Sequence, residues 1–91
     1  MNYALSFTAD MQKVMKKWKK SNPALFAKLH KILLSIGDNP REGIGHPEPL
    51  KGGGDITWSR RITASDRIIY DIINEETVVL VIALEGHYND K

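Results

Sequence analysis

The sequence contains no cysteine, and its longest apolar run, Val78 to Leu84, is only seven residues. Without thiols there is no disulfide framework, no thiolate nucleophile and no cysteine-based zinc or iron–sulfur site. Seven apolar residues fall far short of the ~20 that span a bilayer. Met1–Thr8 also lacks the basic-then-apolar layout of a signal peptide, so the expectation is a cytoplasmic protein with no membrane partner. A strong charge of one sign is missing too, with thirteen Lys+Arg against eleven Asp+Glu. What remains is an ordinary globular composition, 42% hydrophobic and 26% charged, in 91 residues. That length predicts a single domain over 1–91.

The modest charge conceals an asymmetry. Residues 1–51 are net +5 and residues 52–91 net −3. Lys13, Lys16, Lys17, Lys19 and Lys20 fall within eight residues. Such a cluster reads first as a solvated helix face and second as an attractor for a polyanion.

Tyr3, Leu5 and Phe7 alternate with smaller or polar residues, the period of a short half-buried strand. From Met11 the period changes: Met11, Val14, Met15 and Trp18 line one face of a helix capped by Thr8, opposite the lysines. Ser21-Asn22-Pro23 breaks the chain, with Asn22 as the cap and Pro23 as the first residue of a second helix. Its stripe is Leu25, Leu29, Ile32, Leu33 and Ile36, ending at Gly37 to Pro40. An irregular stretch over Arg41–Asp55, with Gly52-Gly53-Gly54, is long for so small a domain. Three strand-like segments follow, Ile56–Thr63, Arg67–Ile73 and Thr77–Glu85, and their three-residue breaks demand antiparallel pairing. The pattern predicts an α+β fold, an N-terminal strand and a two-helix hairpin packed on an antiparallel sheet with one open face.

Along the second of these strands Ile68, Tyr70 and Ile72 share one face, and Arg67, Ile69, Asp71 and Ile73 the other. If the even positions of the last two strands carry the core, Arg67 points to the open face, with His87 beside it and Arg61 from the neighbouring strand. Arginine and histidine on one open sheet face make a candidate anion site, and a phosphodiester is the obvious anion. Each residue also has a plainer reading. Arg67 beside Asp66 forms an exposed ion pair, Glu48 between two prolines is merely solvated, and His87 and Tyr88 are ordinary strand-end residues. His30 and His46 stand in no zinc-ligand spacing, so neither metal nor cofactor is expected. Ser59 and Ser65 lie in no nucleophile motif, and the glycine triplet lacks the Lys-Ser/Thr of a P-loop.

Four ordered blocks then carry a specific resemblance: Gly43-Ile44-Gly45-His46-Pro47-Glu48-Pro49-Leu50-Lys51, Trp58-Ser59-Arg60-Arg61-Ile62-Thr63, Asp66-Arg67-Ile68-Ile69-Tyr70 and His87-Tyr88. Together they resemble the YoeB/Txe toxins of the RelE superfamily. The resemblance implies a RelE-like fold and a toxin that enters the ribosomal A site and cuts the mRNA there. Carried over by motif, it makes Glu48 the general base, Arg67 the transition-state arginine, His87 the general acid and Tyr88 a substrate-positioning residue. Lys51, Arg60 and Arg61 become RNA or ribosome contacts. It further implies an acidic YefM/Axe-like antitoxin, operator DNA bound through the antitoxin complex, and self-association as a homodimer. Leu84-Glu85-Gly86 departs from the basic or aromatic lead-in of many relatives, and Asn89-Asp90-Lys91 extends a chain that often stops at the tyrosine.

The chemistry of RNA fits this residue set. RNA brings its own nucleophile, the 2′-OH, so cleavage without metal needs a base, an acid for the leaving 5′-oxygen and a cation for the phosphorane charge. Glutamate, histidine and arginine fill those roles. A non-catalytic RNA- or DNA-binding module within an autoregulatory complex is the alternative, motivated by the lysine-rich helix. It predicts salt-sensitive binding without scission.

Overall fold

The computed structural model describes residues 3–73 and 78–85. Strand β1 (Ala4–Phe7) leads into helix α1 (Ala9–Ser21), where the Thr8 hydroxyl accepts a hydrogen bond from the Met11 amide at 3.1 Å. Met11 and Trp18 are buried and Val14 and Met15 pack beside them, while the lysines face out. Asn22 serves both helices. Its amide donates to the Trp18 carbonyl at 2.8 Å, ending α1, and its side-chain oxygen accepts from the Leu25 amide at 3.3 Å, starting α2 (Pro23–Asp38). Proline at the first helical position loses no hydrogen bond there, which is why the hairpin is so tight. Leu29, Ile32, Leu33 and Ile36 form the buried stripe of α2. No helix among the described residues is long and apolar enough to cross a membrane.

The remaining strands are β2 (Glu48–Pro49), β3 (Thr57–Arg61), β4 (Arg67–Ile73) and β5 (Val78–Glu85), in the spatial order β1-β5-β4-β3-β2. Pairs β2–β3, β3–β4 and β4–β5 are antiparallel. Ile68, Tyr70 and Ile72 of β4 and Trp58 of β3 join Met11, Trp18, Leu29 and Ile36 in one core between sheet and helices.

The structure departs from the sequence-based expectation in three places. Strand β1 is an edge strand that pairs with β5 in parallel, Leu5 against Val79 and Phe7 against Val81, so the sheet is not purely antiparallel. The helical hairpin and strands β2 to β4 all lie between the two partners, which satisfies the long connection that a parallel pair requires. Within the loop expected to be irregular, Glu48 and Pro49 pair with Ser59 and Trp58. Finally, an irregularity shifts the β4–β5 register between Ile69 and Tyr70, so Ile68, Tyr70 and Ile72 stand opposite Leu84, Val81 and Val79. Even positions of β4 therefore do not stand opposite even positions of β5 throughout, because an extra residue at a bulge shifts the pairing by one beyond it.

Candidate active site

Period-two alternation along β3 splits its side chains between two tasks. Trp58 and Arg60 face the helices, while Ser59 and Arg61 face the other side. On that outer face β2 sets Glu48 opposite Ser59, and β4 sets Arg67 opposite Arg61. These residues line a cleft of about 340 Å³ together with His46, Thr63, Ala64, Ser65 and Asp66. Glu48, Arg61 and His46 are exposed and Arg67 is half-buried.

The electrostatics of the cleft favour an anion. Side chains directly opposite on antiparallel strands have Cβ atoms about 5 Å apart, and like charges there are destabilising. Arg61 and Arg67 occupy such a pair. A phosphate between two guanidiniums removes that penalty and gains charge-assisted hydrogen bonds. Glu48, two residues beyond His46, stands one row along the sheet from the arginines. The cleft thus combines a carboxylate able to accept a proton with cations able to hold a phosphodiester.

One end of the cleft is closed by the turn between β3 and β4. The Ile62 and Thr63 amides both donate to the Asp66 carbonyl, at 2.8 and 3.2 Å, which ends β3 two residues before the expected Thr63. The Thr63 hydroxyl donates to the Asp66 carboxylate at 2.6 Å and accepts from the Ser65 and Asp66 amides. Asp66 is accordingly buried and built into the turn rather than exposed.

The other wall is the loop from Asn39 to Glu48, and Arg60 organises it. Arg60, expected among the RNA contacts, is fully buried. Its guanidinium has five N–H donors, and all five are used. Nε donates to the Tyr70 hydroxyl at 3.1 Å, Nη1 to Ser35 Oγ at 2.6 Å and the Ile44 carbonyl at 3.2 Å, and Nη2 to the Asn39 and Glu42 carbonyls. The Tyr70 hydroxyl in turn donates to the Pro40 carbonyl at 2.8 Å. No donor is left for a phosphate, so the assignment of Arg60 to RNA is corrected. Burial pushes the Tyr70 hydroxyl above its ordinary range, although Arg60 draws it partly back.

Lys51 is exposed just beyond β2 but does not line the cleft. His87 and Tyr88 lie outside the described residues. His46, set aside on sequence because it matched no metal spacing, lines the cleft in a left-handed conformation at φ 52°. Such a conformation is uncommon for a residue with a Cβ and concentrates at functional sites. Its position between Gly45 and Pro47, two residues from Glu48, was the available signal. Among the described residues no three His, Asp or Glu side chains gather as a metal site.

Comparison with known proteins identifies the family and the fold. The profile of the YoeB-like toxin of bacterial type II toxin–antitoxin systems matches residues 7–88. Toxin YoeB of Escherichia coli O6:H1 is 34% identical over 71 residues, covering 78% of this chain and 82% of that protein. The structure of a YoeB/ParE toxin from Agrobacterium tumefaciens superposes with a TM-score of 0.82 at 30% identity, over 93% of this chain and 99% of that one. A chain of the YoeB–YefM complex from Staphylococcus aureus gives a TM-score of 0.79 at 27% identity, over 97% and 100%. The helical hairpin, the sheet behind it and the Glu48–Arg67 cleft are thus those of a chain that belongs to the YoeB-like toxins of bacterial type II toxin–antitoxin systems.

Proposed function

We propose that this toxin is a ribosome-associated mRNA endoribonuclease that cuts in the A site by general acid/base catalysis without metal, and so inhibits translation. The observation that carries the reading is the placement of Glu48, Arg61 and Arg67 in one cleft. Glu48 takes the proton from the 2′-OH, and the freed oxygen attacks the adjacent phosphorus. Arg67 carries the charge that grows on the non-bridging oxygens, where a preorganised cation contributes most. His87 protonates the 5′-oxygen as its bond to phosphorus breaks, and Tyr88 positions the substrate. The products are a 2′,3′-cyclic phosphate and a free 5′-OH. Lys51 and Arg61 contact RNA or the ribosome, the latter from within the cleft and the former from its approach.

Membership of a toxin–antitoxin family supports a cognate antitoxin, and we assign the chain an acidic YefM/Axe-like partner that covers the active face, with operator DNA reached through that complex. A single domain over 1–91, a cytoplasmic location and self-association as a homodimer complete the reading. Purified protein added to programmed ribosomes should cut mRNA in the A site. Glu48→Gln and His87→Ala should each lose most cleavage while retaining RNA binding. Undiminished cutting by both variants overturns the role assignment. Salt-sensitive binding without scission by the parent protein favours the non-catalytic alternative.

A further inference from the structure

The cleft residues on the loop do not hold themselves in place. Between Asn39 and Glu48 the only regular pairing is Glu48 with Ser59, yet Asn39, Glu42 and Ile44 each aim a carbonyl at the same guanidinium. We infer that Arg60 is a positioning residue for catalysis, a buried template around which the loop folds so that His46 and Glu48 meet the RNA in the cleft. This rests on the reading of that cleft as the RNA-cleaving site.

Three observations support it. First, Arg60 sits against the C-terminal end of α2: Ser35 lies in its last turn and Asn39 is its C-cap residue. A helix C-terminus carries partial negative charge, and α2 has no basic residue of its own in the last turn. Arg60 supplies that cation from β3, which favours burying a charge whose hydrogen-bond partners are all neutral. Second, the loop is moulded to the guanidinium. A Cβ on Gly43 would collide with Ser35 Oγ and stand 3.0 Å from Arg60 Nη1, and Gly43 has φ 134°. Third, the loop is tied to the same strand on the far side of Arg60. The Arg61 amide donates to the Gly45 carbonyl at 2.7 Å, and a Cβ on Gly45 would stand 2.7 Å from the Arg61 carbonyl. Residues 59–61 therefore touch the loop at both ends and hold it from beneath in the middle. Lysine, with three donors on a point charge, cannot reproduce a five-donor planar fork.

The test compares the full-length parent with Arg60→Lys and Ser35→Ala, the second removing a single partner without disturbing the buried charge. Each is measured for folding by circular dichroism, for hydrogen exchange at the Arg61 amide, and for kcat and KM on programmed ribosomes. A displacement of catalytic groups by about 1 Å costs roughly a hundredfold. Arg60→Lys should therefore fold, lose at least about tenfold in kcat with KM within about twofold, and exchange the Arg61 amide at least about tenfold faster. Ser35→Ala should show the same changes to a smaller degree. A purely structural role predicts lower stability with parental kcat in the folded fraction, and that result, or unchanged Arg61 protection in the folded variants, overturns the inference. If Arg60→Lys does not fold, Ser35→Ala decides on the same two readouts. If the parent itself cuts no RNA, the proposed function fails, and the exchange data still decide whether Arg60 organises the loop.

Discussion

Arg60 and Arg61 are neighbours on β3 whose side chains face opposite sides of the sheet, one buried beneath the loop and the other in the cleft. Arg60 shares its parity with Trp58 and Ile62, both buried, and Arg61 with Ser59 in the cleft. Alternation along a strand thus contained the distinction, but charge alone argued for solvent. Burying an arginine needs acceptors from segments far apart in sequence, and Ser35, Asn39 and Ile44 cannot be identified as partners before the fold is known. His46 was missed for a related reason, since its place in the cleft depends on a left-handed backbone that the sequence does not announce. Glu48, Arg61 and Arg67 line one cleft because the β2–β3 and β3–β4 registers set them on the same face of the sheet. At this scale Arg61→Ala should weaken RNA binding and reduce the salt slope, d log K/d log[salt], by about 1 in magnitude, the signature of one lost phosphate contact. Fluorescence anisotropy across a salt series checks this.

Helix boundaries were legible because capping is local. Thr8, Asn22 and Pro23 each act through groups within three residues. Asn22→Ala should therefore cost about 1 kcal/mol, seen as a fall of about 4–8 °C in Tm for a chain of this size. A thermal melt followed by circular dichroism measures it. Strand pairing was only partly legible. The antiparallel meander followed from short connections, but the parallel β1–β5 contact joins residues more than seventy positions apart. The β4–β5 register shift likewise leaves no mark in a continuous apolar run. Strand β2, two residues including a proline, is too short to show a period. The loop before it depends on Gly45, whose φ of 86° and close approach to Arg61 and Ile32 exclude a side chain. Gly45→Ala should destabilise the protein by about 1–3 kcal/mol and reduce cleavage further than its stability loss explains. Comparing urea midpoints with activity in the folded fraction separates the two effects.

Among the described residues, one face of the sheet carries the core and the other the cleft, and the Arg60–Tyr70 pair connects them through the loop. Tyr70 also contributes a pH dependence. Burial raises its hydroxyl above the ordinary phenol value, so the folded state favours the neutral form. That stability is fully present below about pH 10, the unfolded value, and is lost as pH rises through the higher folded value. Tyr70→Phe should be less stable near neutrality, through the lost bonds to Arg60 and Pro40, yet decline less steeply above pH 10 in thermal melts. The sequence has no thiol and no large net charge, and the cleft brings carboxylate, imidazole and guanidinium together, in Glu48, His46, Arg61 and Arg67, around a space suited to a phosphodiester. In the proposed reaction RNA supplies its own nucleophile there. The direct measurement is cleavage on programmed ribosomes with an mRNA carrying a single 2′-deoxyribose at the cut position, with product ends analysed by mass. The proposed mechanism yields a 2′,3′-cyclic phosphate from the all-ribose message and no cutting at the deoxy position. Cleavage that persists at the deoxyribose contradicts it.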